Sequence, residues 1–83
     1  MARRPAPTLS AQLRLHVAAA LSRRLAKMAA TQQEAAALLG VTQPQVSNLL
    51  NGRIEGYSLD RLVDLAARTG LNVRISLTRP YGD

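Results

Sequence analysis

The apolar positions of this 83-residue chain change rhythm several times, and each change marks an element. Leu9, Leu13, Val17, Leu21, Leu25 and Met28 recur at spacings of four and three. That period predicts one long amphipathic helix from Thr8 or Ser10 to about Ala30. Thr31-Gln-Gln-Glu34 then places a threonine three residues before a glutamate, the reciprocal pair that satisfies two unpaired amides at a helix start. Ala35, Ala36, Leu38 and Leu39 follow as a short apolar helix, which ends at Gly40, a residue suited to positive φ. A second start signal comes at once: Thr42 stands three residues before Gln45, with Pro44 in the first turn, where a missing amide hydrogen costs little. Val46, Leu49 and Leu50 form the inner stripe of this next helix, and Gln43, Gln45, Ser47 and Asn48 face outward until Asn51-Gly52. Pro44 also disfavours α geometry at Gln43, so either Thr42 or Gln43 can serve as the cap.

Beyond Gly52 the pattern predicts a loop over 53–57, then a helix capped by Ser58. Leu59, Leu62, Val63, Leu65 and Ala66 are its inward positions, and Thr69-Gly70 its end. Asp60 near its start and Arg68 near its end complement the helix dipole. The period then switches to two. Val73, Ile75 and Leu77 alternate with Arg74 and Ser76, as in a half-buried strand. A single strand leaves its ladder groups unpaired and needs a partner from outside the chain. The simplest partner is the same strand of a second copy, so Val73, Ile75 and Leu77 are expected to close a homodimer.

The expected fold class is therefore all-α, a compact four-helix bundle with one short C-terminal strand. Residues 1–7 read as a disordered basic arm, 8–70 as the helical domain, 71–79 as the dimerisation strand and 80–83 as a tail.

Charge narrows the function. Eleven Lys and Arg against five Asp and Glu give a net charge of +6, the balance of a domain that meets a polyanion. No apolar run approaches the ~20 residues needed to span a bilayer. The basic N-terminus lacks a clean signal-peptide core, so a cytoplasmic location is expected. A membrane-surface role for the 9–28 helix is disfavoured because its apolar face has no Trp or Phe. There are no cysteines, which removes disulfides and thiolate chemistry together. His16 is the only histidine, so no metal site is implied. Ser47 and Ser58 have no activating base at a recognisable spacing, and no glycine-rich phosphate loop is present. Neither an enzyme nor a cofactor is expected.

Two short helices joined by a tight glycine turn make a helix-turn-helix, whose second helix enters the major groove. Asn and Gln can make paired hydrogen bonds to adenine, and Ser can reach other base edges. Gln43, Gln45, Ser47 and Asn48 are therefore candidate base contacts. Thr31, Gln32, Thr42, Asn51 and Arg53 flank them as candidate phosphate contacts.

Thr31–Arg53, followed by Gly-Tyr-Ser-Leu-Asp-Arg-Leu and a short V-x-I-x-L segment, resembles the Cro/cI-type (XRE) helix-turn-helix proteins. Among these it is most similar to the small HigA-like antitoxins. The resemblance covers roughly Leu13 to Leu77. It implies a homodimeric repressor of a palindromic double-stranded DNA operator, and, for HigA-like members, the antitoxin of a HigBA-like module that neutralises an RNase toxin. Position by position, Gln43, Gln45, Ser47 and Asn48 match the family's base-reading helix, and Gln32, Asn51 and Arg53 its backbone contacts. Pro44 departs from the usual polar residue and implies an apolar contact, to a thymine methyl. Two other roles are compatible with the same residues: a stand-alone regulator without a toxin, and a protein inhibitor whose DNA binding is incidental.

Overall fold

A computed structural model describes residues 8–28 and 30–78. The arm over 1–7 and the tail over 80–83 lie outside the described residues, as does the last residue of the expected strand. Four helices are present: α1 (Leu9–Lys27), α2 (Gln32–Leu39), α3 (Gln43–Leu50) and α4 (Leu59–Arg68). Each begins where a hydroxyl can accept from an otherwise unpaired amide: Thr8, Thr31, Thr42 and Ser58 are the four N-caps.

The helices close around one core. α1 packs against α4 and α3, and α2 against α3 and α4. Leu21, Leu39, Val46, Leu49, Leu62 and Leu65 are fully buried at its centre, one or more from every helix. Ala18, Ala35, Ala36 and Ala66 are buried between them, and their small side chains let the backbones approach.

The apolar stripe of α1 is only partly used. Val17, Leu21 and Leu25 are buried, while Leu9 and Met28 are exposed and Leu13 is half-buried. Length explains this. At about 1.5 Å per residue α1 runs to roughly 28 Å, nearly twice the length of α4, so its ends overhang the partner. Leu38 and Leu50, expected on inner faces, also lie at the rim of the core and are exposed.

The expected C-terminal strand is absent. Residues 71–78 carry no regular secondary structure, and there is no strand among the described residues. The amide of Leu71 closes the end of α4 by donating to the Ala66 carbonyl at 3.2 Å. Past that point no other extended segment lies in the described chain to form a ladder with it. Val73 is half-buried against the core, whereas Ile75 is 52% and Leu77 91% exposed. The alternating pattern thus meets the core once and then leaves it.

Candidate nucleic-acid interface

The α2–turn–α3 unit is held by bonds that its own sequence supplies. At the start of α2, the Thr31 hydroxyl accepts from the Glu34 amide at 3.0 Å, and the Thr31 amide donates to Glu34 Oε1 at 2.9 Å. The bond from the Thr31 amide, and after it the nearby Thr31 hydroxyl, hold the Glu34 carboxyl below its usual range, because the charged form is the better acceptor. Gly40 ends α2 at φ +69°, a left-handed conformation that L side chains rarely adopt. The Arg68 guanidinium, from α4, donates to the Leu39 carbonyl at 2.9 Å. A Cβ on Gly40 would meet that guanidinium at 2.7 Å, so it would push Arg68 off the Leu39 carbonyl.

The start of α3 repeats the arrangement. The Gln45 amide donates to the Thr42 hydroxyl at 3.2 Å, and the Thr42 amide donates to Gln45 Oε1 at 2.9 Å. Thr42 is therefore the cap, and Gln43 is the first helical residue, with an exposed side chain. The reciprocal pair settles the boundary despite the proline at the next position. It also changes what Gln45 can offer. Its carbonyl oxygen is engaged in the cap and its amide NH2 remains to donate, so a paired contact to adenine would have to break the cap.

Helical geometry sorts the remaining candidates. At about 100° per residue, the direction opposite buried Val46 and Leu49 is occupied by Pro44, Ser47, Asn48 and Asn51. Gln43 and Gln45 flank it on either side. Pro44 and Asn48 are exposed and Ser47 is half-buried. Asn51 turns back on the helix: its side-chain NH2 donates to the Ser47 carbonyl at 2.8 Å and reaches the Ser47 hydroxyl at 3.5 Å. The Arg53 amide donates to the Asn48 carbonyl at 2.8 Å, closing the end of α3 with Gly52 at φ +74°. That closure sets Arg53, exposed, at the end of the helix. Thr31 and Gln32 are exposed at the start of α2, across the turn. Val73 and Ile75 line a groove of about 260 Å³ with Leu13, His16 and Val17 of α1, and Leu77 is exposed beyond it.

Several residues that hold the interface were not foreseen. Tyr57 is buried, and its hydroxyl donates to the Gln45 carbonyl at 3.0 Å. Burial pushes its phenol above the ordinary value of 10, with the nearby Arg61 charge opposing the shift. Its one sequence signal is its place just before the Ser58 cap and five residues before Leu62, the spacing of a hydrophobic staple. Three arginines are committed to backbone carbonyls: Arg14 to Tyr57 at 3.3 Å, Arg24 to Thr69 at 2.9 Å, and Arg68 to Leu39. Part of the positive charge is thus structural.

No group of acidic, histidine or cysteine side chains that could hold a metal occurs among the described residues, nor a helix long and apolar enough to cross a membrane.

Comparison with known proteins agrees with this geometry. The family of helix-turn-helix domains matches the chain over residues 5–78. A solved structure of a protein described as an XRE-family transcriptional regulator superposes with a TM-score of 0.79 at 36% sequence identity, covering 87% of this chain and 82% of that one. No curated protein matches the sequence.

Proposed function

The chain belongs to the helix-turn-helix domain family, and from that membership we propose that it represses transcription by reading a specific operator through α3. That it is a DNA-binding transcriptional regulator rests on the family and on the XRE-family structure it resembles. The operator-reading role rests chiefly on one observation. A helix fixed at both ends by its own caps carries an exposed polar face on a domain with a net charge of +6. In this reading Gln43, Pro44, Ser47 and Asn48 meet base edges, with Gln45 contributing its amide NH2. Thr31, Gln32, Thr42, Asn51 and Arg53 meet the phosphates on either side, Asn51 through the side-chain N–H that the Ser47 carbonyl does not take.

The functional unit is a homodimer. Its support is the C-terminal segment, where an alternating apolar pattern ends in exposed Ile75 and Leu77. Two copies would set their α3 helices in successive major grooves about 34 Å apart, and the operator would be palindromic. The working location is the cytoplasm.

Binding measurements on single variants test the division of roles. Asn48→Ala should cost about 1–3 kcal/mol and relax preference at particular base positions. Arg53→Ala should weaken binding to all duplexes alike and reduce the salt dependence by about one counterion. If Arg53→Ala changes base preference while the salt slope stays intact, the assignment is wrong.

The antitoxin role is the finer part of this reading, supported by the resemblance of Thr31–Arg53 and its flanks to HigA-like proteins. Its partner would be an RNase toxin encoded beside it. Co-expression with a small basic neighbouring reading frame tests it, the expected result being a stable complex and relief of toxicity. A stand-alone regulator is the second reading, favoured by the plain description of the solved relative as a transcriptional regulator. It predicts the same operator binding and no such complex.

A further inference from the structure

The first turn of α3 has one support that its own helix does not need. The Gln45 carbonyl lies within the helix, where the amide four residues on already occupies one lone pair. The second lone pair accepts from the Tyr57 hydroxyl at 3.0 Å, across the loop that joins α3 to α4. Tyr57 is held in turn. Its ring is buried with Ile54 and Leu62 in the core, its amide donates to the Ile54 carbonyl at 2.9 Å, and its carbonyl accepts from the Arg14 guanidinium of α1. A continuous set of bonds therefore runs from α1 through Tyr57 to the residue whose side chain closes the Thr42 cap.

We propose that Tyr57 is a positioning residue for DNA reading: its hydroxyl fixes the angle of the first turn of α3 against α1 and α4. It touches no base itself. Gln43 and Pro44 stand in that turn, and Ser47 and Asn48 in the next, so a small rotation of Gln45 moves every candidate base contact together. Arg53, at the opposite end of the helix and on a long exposed side chain, keeps its phosphate contact through such a rotation, and that contact carries no sequence information. This inference rests on the operator-binding reading above and names what gives that reading its precision.

Tyr57→Phe is the test, since it keeps the buried ring and removes only the hydroxyl. Binding is measured to the duplex that the wild-type protein selects from random DNA, to single-base variants of it, and to a scrambled duplex. Affinity for the selected duplex should fall about fivefold per half-site, the equivalent of one ordinary hydrogen bond, with affinity for the scrambled duplex unchanged. The ratio between the two should therefore narrow. Amide exchange should quicken in the first turn of α3 and not in α1 or α4.

Equal loss on both duplexes, in step with a lower folded fraction, would make Tyr57 a core residue and nothing more. Unchanged discrimination with unchanged exchange would overturn the proposal as well. Failure of the wild-type protein to select any sequence would overturn the operator reading itself, a result visible before the variant is made.

Discussion

Thr31–Arg53 and Leu71–Thr78 both carry firm apolar patterns, yet only the first buries most of its apolar positions inside the chain. In the helix-turn-helix unit each cap is answered within three residues, and the inner side chains Leu39, Val46 and Leu49 are buried. In the C-terminal segment the pattern is as regular, but only Leu71 and Val73 lean on the core, while Ile75 is 52% and Leu77 91% exposed. A helix satisfies its backbone within itself, so its pattern and its structure appear together. A strand is completed by a neighbour. The same quality of signal therefore describes a finished element in one region and a segment without regular structure in the other.

The contrast breaks most directly under truncation of one leucine from each region. Leu39→Ala, at a fully buried position, should cost about 2–5 kcal/mol and leave so small a domain largely unfolded. Leu77→Ala should leave unfolding of the isolated chain within about 0.5 kcal/mol of wild type, measured by denaturant titration at the lowest practicable protein concentration. A large loss at Leu77 would mean that the segment is part of the chain's own core.

Assembly gives the second comparison. Ile75→Asp should leave the helical content intact while abolishing the dimer in sedimentation and sharply lowering operator affinity, because each half-site alone is weak. A wild-type protein that sediments as a monomer would remove the intersubunit pairing from this account.

The turn itself is the third. Gly40→Ala combines a left-handed φ with a clash against Arg68, and should destabilise by about 1–3 kcal/mol. The same replacement at Gly52 meets no atom within 4 Å, so only the conformational strain remains there. Equal costs at the two glycines would show that the Arg68 contact contributes nothing.

The smallest effect concerns Glu34. Its carboxyl is held below the usual range, so its contribution is present above pH 4.5 and is lost as pH falls through the lower, folded value. Wild type and Glu34→Gln should therefore differ near neutrality and converge in acid, as read by thermal melts across pH 2–7.

How much was legible in the chain follows from the reach of each interaction. The caps at Thr31, Thr42 and Ser58 join residues three apart. Thr31 and Ser58 are readable from residue type and spacing, while Pro44 leaves Thr42 and Gln43 as alternatives until the structure places the cap at Thr42. Leu38 and Leu50 have the right spacing for a core, but their exposure depends on where neighbouring helices stop. The bonds from Tyr57 to Gln45 and from Arg68 to Leu39 span 12 and 29 residues, and no local rule announces them. Those two contacts tie the two sides of the turn, the end of α2 and the start of α3, to the rest of the domain. Gln45 shows the converse: the motif that marked the helix start also occupies the side-chain oxygen expected to read a base.

Selection of binding sites from random duplex DNA at two salt concentrations tests the central claim most directly. The account predicts a palindrome with half-sites about one helical turn apart, kept at both salt concentrations although affinity falls at the higher one. A pool without a consensus, lost steeply as salt rises, would contradict it and leave charge alone as the basis of binding.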